Sequence, residues 1–532
     1  MYDEEWGGTM SLPGSEIKCP FCARLLDGAL GIHIKQQHGE GCFRQAVLMA
    51  KAQGMPDVEI GERYGVSFRQ LEQIITEACG ANLSVIGGPR RIRSWEPKDF
   101  RKETTTVWSF RQRGNWATHD GRYRGNWSPY IPRNVIVRYS RPGDIVLDYF
   151  VGGGTTAVEA KLLGRRCVVK DINPEAVALT REAVAFTPPP QLFDGPYYEP
   201  EVSVGDARDL SDIPSDGIDL ICAHPPYAGI IRYSSRMAGD VSNLSIPDFL
   251  EAMGQVARES WRVLKPGGKC VILIGDSRKA KRVVPIGFQT IRVFLDAGFA
   301  LQELVIKRQH RCKATGFWYN RSVQHNFLLL AHEYLPVFEK PKAHLVADLP
   351  PAPRADLSYQ AILRPVDRSQ GEKLETTTMW IFPGDRLEAE IRRNVQHRFS
   401  IPGSDTIEVH FPGDHDEFDI ASGRIISFVH VHLPRLVHEA EWIALRTRIT
   451  EITEQAARLF ADCGFLILQT EDTRVGGVFY PVGLWLYEEM AKVQEFALRE
   501  IIIVAPQERP ENPSGEHLEI VHRYLLVYAY LP

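Results

Sequence analysis

Residues 144–174 read DIVLDYFVGGGTTAVEAKLLGRRCVVKDINP, and this stretch decides the fold. Ile145–Tyr149 is an apolar run of strand length. Gly152–Gly154 follow, and Thr155–Thr156 open a helix whose apolar residues are Ala157, Val158, Ala160, Leu162 and Leu163. Cys167–Lys170 is a second strand, ending on Asp171. A strand, glycine turn, helix and strand in that order build a parallel sheet with right-handed crossovers. Glycines let the backbone come close to a ligand and leave free amides at a helix start. A carboxylate at the tip of the next strand can take both ribose hydroxyls, and Asp171 lies 17 residues after Gly154, near the ~20-residue offset of dinucleotide folds. GGGTT is not GxGxxG and no GK[ST] follows, so a nucleoside site is favoured over a phosphate cradle.

Working outward, Val202–Val204 is another short strand, followed by Gly205-Asp206-Ala207, and Ile218–Tyr227 reads IDLICAHPPY, an apolar strand ending in His-Pro-Pro-Tyr. VLDYFVGGGTT, KDINP, GDAR and HPPY, in that order, resemble the S-adenosylmethionine-dependent DNA amino-methyltransferases (N6-adenine/N4-cytosine). The resemblance implies an α/β fold with a Rossmann-like seven-stranded class I sheet. It implies that Asp148, Phe150, Gly152, Gly153, Gly154, Thr155 and Thr156 hold the methionine end of the cofactor, that Asp171 with Ile172 holds ribose, and that Asp206 with Ala207 meets adenine. It makes His224, Pro225, Pro226 and Tyr227 catalytic. The family usually has Asp, Asn or Ser where this chain has His224, which leaves base and atom open between N6-adenine and N4-cytosine.

Methyl transfer from a sulfonium to an exocyclic amine is an in-line displacement that needs alignment and an available lone pair. The His224 side chain and the Pro225 carbonyl are expected to accept the two amine hydrogens, which requires neutral His224. Tyr227 is expected to stack on a base that has left its helix. Transfer to RNA or to cytosine C5 is the alternative; C5 chemistry needs a cysteine nucleophile, and Cys222 is not in a Pro-Cys motif. A non-catalytic DNA-binding module on the same fold is a third reading.

The 532 residues suffice for two or three domains. No apolar run reaches the ~18 residues of a membrane span, MYDEEWGGTM has no signal-peptide core, and the scattered cysteines fit a reduced, cytoplasmic setting. The net charge of -5 is unevenly spread. Residues 341–532 hold 19 of the 62 Lys and Arg and 29 of the 67 Asp and Glu; residues 1–340 hold the other 43 and 38. DNA should therefore meet the first part of the chain.

Residues 17–42 contain Cys19, Cys22, His33 and His38 in a C-x2-C-x10-H-x4-H pattern, the spacing of a closed structural zinc site, with Cys42 in reserve. Residues 43–86 read as a helix-turn-helix: Asp57–Tyr64, a turn at Gly65-Val66, and a second helix offering Ser67, Arg69, Gln70 and Gln73. After a basic linker, KETTTVWSFRQRGNWATHDGRYRGNWSPYIPRN (residues 102–134) is rich in Trp, Arg, Gly and Asn and is expected to fold over cofactor or substrate. SPYIPRNVIVRYS, just before the glycine stretch, resembles the family's element that closes over the methionine end. Asp248–Leu264 is an expected amphipathic helix, Lys269–Ile274 a fifth strand, Pro285–Ala297 a helix, and Leu301–Lys307 and Asn326–His332 an antiparallel edge pair. Between the last two, Lys307, Arg308, Arg311, Lys313, Trp318 and Tyr319 interleave cations with aromatics, a pattern that suits phosphate and base contact.

The C-terminal part echoes the first. ETTTVWSF at 103 recurs as ETTTMWIF at 375; AHPPY around His224 aligns with VHLPR around His432; DSR at 276 with DTR at 472; HEYLPVF at 332 with HRYLLVY at 522. The interval between the first two matches is shorter in the second copy by about the length of the glycine turn and the ribose carboxylate. The expected organisation is a zinc-finger-like region (1–42), a helix-turn-helix-like region (43–86), a catalytic domain (87–340), a linker (341–372) and a degenerate methyltransferase-like domain (373–532). The copies are expected to pair as an internal pseudo-dimer. The oligomeric state is left open, as is a partner restriction or defence protein.

Overall fold

In the computed structural model the described residues are 17–26, 30–53, 55, 57–66, 70, 71, 74, 92–119, 123, 125–192, 195–227, 239–279, 281–310, 313–342, 374–401, 403–410, 425–436, 439–460, 463–508 and 517–532. The first sheet has eight strands: β1 (Val107–Ser109), β2 (Ile145–Asp148), β3 (Arg166–Asp171), β4 (Glu201–Val204), β5 (Ile218–Ala223), β6 (Leu264–Ile272), β7 (Ala300–Arg308) and β8 (His332–Glu339). Their spatial order is β1-β7-β8-β6-β5-β2-β3-β4. Only β8 runs against its neighbours, and β2–β6 are parallel. The seven expected strands are joined by β1, from ETTTVWSF, lying parallel to β7 at the edge.

Helix Pro174–Val184 starts where Asn173 accepts the Glu175 amide and Pro174 sets the first turn. Helix Ile246–Val263, capped by Ser245, begins two residues before the expected start at Asp248. The expected strand at Asn326–His332 lies elsewhere: β8 begins at His332, where HEYLPVFE pairs with β7, while Leu329 bridges Thr377 of the second half.

The second sheet contains β9 (Met379–Phe382), β10 (Asp405–His410), β11 (Ile426–His432), β12 (Phe465–Thr470), β13 (Phe496–Pro506) and β14 (Arg523–Tyr530). Its order, β9-β13-β14-β12-β11-β10, and strand senses repeat the first sheet, with no counterparts of β3 and β4 among the described residues. One bulge recurs too, at Leu301/Glu303 in β7 and Leu498/Glu500 in β13.

The halves meet through reciprocal contacts. His522 Nδ1 lies 2.8 Å from Thr106 Oγ1, and His332 Nδ1 lies 2.9 Å from Thr378 Oγ1. Tyr334 donates to Asp276, and Tyr524 to Asp472. Arg278 pairs with Glu500, and Arg474 with Glu303. Phe288, Tyr334, Tyr487 and Tyr524 share one buried aromatic cluster at this junction. A hydrophobic core continuous across both sheets makes the halves one folded body.

At the N-terminus, helix Leu30–Ala52 crosses the expected boundary at residue 42, and its core takes in Cys19, Ile34, Phe43, Val47, Ile60, Tyr64 and Leu71. The finger-like segment and the helices behind it thus share one core. Gln70 is exposed; Ser67, Arg69 and Gln73 lie outside the described residues. Among the described residues, no helix is long and apolar enough to cross a membrane.

Candidate active site

The C-terminal ends of β2, β3 and β5 open into a cleft of about 810 Å³, counting its mouth. This is where an open α/β sheet places its ligands. Phe150, Gly152, Asp171, Ile172, Asp206 and Ala207 line it, together with His224 and Pro226. Asp171 is buried; its carboxylate accepts the amides of Gly152 and Asn173, each at 2.9 Å, and burial pushes it up to about 6. Burial raises the Asp206 carboxyl too, but Arg208, bonded to both oxygens, outweighs it and holds the group below the usual range.

The glycine turn departs from expectation. Its three amides are taken within the protein: Gly152 by Asp171, Gly153 by Asn126 Oδ1 at 3.1 Å, and Gly154 by the Val151 carbonyl at 3.0 Å. Asp148 does not line the cleft. It is buried, accepts from the Phe150 amide and from Thr156 Oγ1 at 2.6 Å, and so ties the strand end to the helix start. Burial raises it to about 7. Thr155 and Gly153 line a smaller cavity behind the turn. The glycines serve close approach: a Cβ on Gly153 would stand 2.4 Å from Asn126 Nδ2 and 2.7 Å from Tyr123 Cβ.

Asn126 and Tyr123 come from the Trp/Arg/Gly/Asn-rich stretch, which forms a cleft wall with Gly125 and Trp127. That wall is anchored by the buried Glu159, whose carboxylate takes Trp116 Nε1 and His119 Nε2 at 2.6 Å and Arg133 Nη1 at 2.9 Å.

His224 is half-buried and stacks on Trp127, with ring centroids 5.5 Å apart and planes 21° apart. Its Nε2 lies 3.0 Å from the Tyr227 hydroxyl, which donates to Glu333 Oε1 at 2.8 Å. Lys307 holds the other oxygen of Glu333 at 2.7 Å. Burial works to raise Glu333, but Lys307 and His224 outweigh it and bring it down to about 2. An ionised Glu333 can only accept, so Tyr227 must donate to it and accept from His224 Nε2–H. That fixes the neutral His224 tautomer with its lone pair on Nδ1. Burial, resisted by Glu333, keeps the imidazole neutral, with its pKa down to about 4. Tyr227, expected as a stacking plate, is thus committed to this relay and is not among the cleft-lining residues; Pro225 is buried beside it.

Sequence reading did not single out Asn126, Trp127 or Glu333, and it took Lys307 for a phosphate-contacting cation, where the structure pairs it with Glu333. For Glu333 a signal was available: HEYLPVF carries Glu where HRYLLVY carries Arg523, so the acid belongs only to the copy with HPPY. The expected nucleic-acid residues fall around helix Lys313–Gln324. Tyr319 is exposed, Trp318 lies under Arg321 at 5.5 Å, and Arg308 is half-buried on β7. Arg311 lies outside the described residues, as does the Lys313 side chain. Cys19, Cys22, His33 and His38 are brought together, their ligand atoms all within 4.8 Å of one another; Cys42 is outside that group.

The model of the N6/N4 DNA methylase family matches residues 74–182 and 218–410, more than half of the sequence. The chain belongs to that family. Relatives include the type II methyltransferase M.SmaI of Serratia marcescens, 34% identical over 89 residues, or 17% of this chain and 29% of that protein. A tRNA (guanine(10)-N2)-dimethyltransferase of Methanothermobacter thermautotrophicus is 34% identical over 131 residues, 24% of this chain and 35% of that protein. This DNA methylase family chain therefore spans about a third or less of the length of those two relatives. A putative DNA modification methylase from Thermus thermophilus, solved with S-adenosyl-L-methionine, aligns over 26% of this chain and 53% of its own at 26% identity and a TM-score of 0.20.

Proposed function

We propose that the chain transfers a methyl group from S-adenosylmethionine to the exocyclic amine of a DNA base, N6 of adenine or N4 of cytosine. The observation that carries this is the single cleft joining a buried strand-tip carboxylate, Asp171, to the HPPY tip at His224. When bound, the cofactor supplies an electrophilic methyl group. Asp171 has lone pairs left for ribose hydroxyls, Phe150 and Ile172 flank it with apolar surface, and Asp206 stands where an adenine amine needs an acceptor. His224 Nδ1, left as an acceptor by the relay through Tyr227, takes a hydrogen of the target amine and keeps its lone pair directed at the methyl carbon. The wall of Tyr123, Asn126 and Trp127 keeps water from the reacting atoms.

In the same reading, Cys19, Cys22, His33 and His38 hold one structural zinc ion. Two thiolates and two imidazoles form a closed tetrahedral set, and zinc would join the two chain segments that carry them. The second sheet is a copy that has lost its cofactor site: among the described residues no strands stand in for β3 and β4, and Arg435 and Arg523 stand at the counterparts of Tyr227 and Glu333. It serves as an internal pseudo-dimer partner that buttresses β7 and β8. Helix Lys313–Gln324, with Trp318 and Tyr319, lies on the DNA-facing side, and a restriction enzyme is the natural partner, given relatives named as type II methyltransferases. The test is incubation with labelled cofactor and unmodified DNA or RNA, then digestion to nucleosides. Label in N6-methyldeoxyadenosine or N4-methyldeoxycytidine supports the proposal; label only in RNA or in 5-methylcytosine rejects it.

A further inference from the structure

We propose that the strand ends of the second sheet hold a divalent transition-metal ion of the zinc class, with His430, His432 and Glu408 as ligands. The residues follow from strand periodicity. His430 and His432 alternate along β11, and Glu408 and His410 alternate along the neighbouring parallel strand β10. The register sets Glu408 opposite His430 and His410 opposite His432, so all four side chains stand on one face of the sheet. The offered ligand atoms of Glu408, His430 and His432 lie within 4.8 Å of one another. His432 Nε2 is 2.8 Å from Glu408 Oε1. His410 stacks on His432 at 4.1 Å between centroids, and His430 lies against His432 at 4.2 Å with the rings tilted by 38°.

Packing nitrogen donors this closely around one carboxylate is what a metal site requires, and two imidazoles with a carboxylate select zinc, cobalt, nickel or copper over magnesium or calcium. His430 is buried and its Nε2 meets Gln469 Oε1 at 3.1 Å, the outer hydrogen bond that orients a metal-binding histidine. Glu408 also takes Arg392 through two bonds, at 2.9 and 3.0 Å, so a bound ion would share the carboxylate with a guanidinium or displace it. The site has a structural use. Among the described residues β10 is an outermost strand, with no counterparts of β3 and β4 beside it. An ion held between β10 and β11 would fasten that bare edge.

The experiment uses the full chain carrying Cys19→Ser and Cys22→Ser, so that no thiolate site contributes. It is stripped with chelator and titrated with Zn²⁺, and separately with Co²⁺. One bound equivalent with cobalt d–d bands and no thiolate charge-transfer band is expected. Adding His432→Gln or Glu408→Gln should weaken binding at least about tenfold, with the circular dichroism spectrum unchanged. Arg392→Ala should leave the equivalent in place or tighten it. No bound metal in the thiolate-free chain, or binding indifferent to both His432→Gln and Glu408→Gln, would overturn the proposal and leave a hydrogen-bonded histidine stack.

Discussion

Replacing Glu333 with Gln tests the relay that sets His224. In the native chain Glu333 accepts from Tyr227 at 2.8 Å and from Lys307 at 2.7 Å, and is itself buried. A Gln amide is as good a donor as an acceptor, so Tyr227 can turn its proton toward His224 Nε2. The imidazole then prefers the other tautomer, and Nδ1 faces the substrate amine as an N–H. A hydrogen bond to a charged group contributes about 1.5–3 kcal/mol. If that preference is lost at the transition state, kcat falls by roughly 10- to 100-fold. The cofactor end of the cleft is untouched, so KM for S-adenosylmethionine should hold. Glu333 raises the His224 pKa, and its loss must not move the acid limb of the pH profile upward. The assay is initial-rate methyl transfer across pH, with thermal melting to confirm that Lys307, stripped of its partner, has not unfolded the chain. Unchanged kcat in a folded variant, or a loss confined to KM for the cofactor, would refute the tautomer argument.

Other outcomes follow from the same geometry. Asp171→Ala removes the acceptor expected for ribose and should weaken cofactor binding at least about tenfold by calorimetry, at ~1.5–3 kcal/mol for a charged hydrogen bond; unchanged affinity would put the cofactor elsewhere. Gly153→Ala drives a methyl group into Asn126 and Tyr123 and should lower cofactor affinity by displacing that wall, whereas Gly41→Ala, with no atom within 4 Å of the added methyl and no left-handed backbone, should leave binding unaffected. Because burial holds His224 at about 4, activity should persist well below pH 6.5 and fail on an acid limb nearer 4; a limb near 6.5 would mean a solvated imidazole. The same shift has a stability consequence. A histidine with a depressed folded pKa is protonated more readily when unfolded, so His224, His332 (about 3) and His430 (about 3) should lower the melting temperature as pH falls from about 6.5 toward 4. Glu333, depressed to about 2, adds its own loss only below about 4.5.

The first sheet could be read from the chain because its signals are local. β2, the glycine turn and β3 are adjacent in sequence, and the 3.6-residue and 2-residue periods distinguish helix from strand within a few residues. The site was less legible where it depends on long-range geometry. Nothing near Gly153 says that Asn126, 27 residues earlier, will take its amide. Nothing near Tyr227 says that Glu333, 106 residues later, will take its hydroxyl. The short, continuous apolar run within Asn326–His332 suggests a strand; in the fold it is consumed at the junction, where Leu329 meets Thr377. Motif order therefore shows which ends of the sheet face the cleft, and tertiary contacts decide which side chains fill it.

The most direct test of the central claim is single-turnover transfer from pre-bound labelled S-adenosylmethionine to duplex DNA by His224→Ala. Cofactor binding should match the parent chain, while transfer to the base amine falls by at least about 100-fold, some 2.7 kcal/mol. Full transfer by that variant, or a parent chain that binds the cofactor yet never labels a DNA amine, would contradict the account.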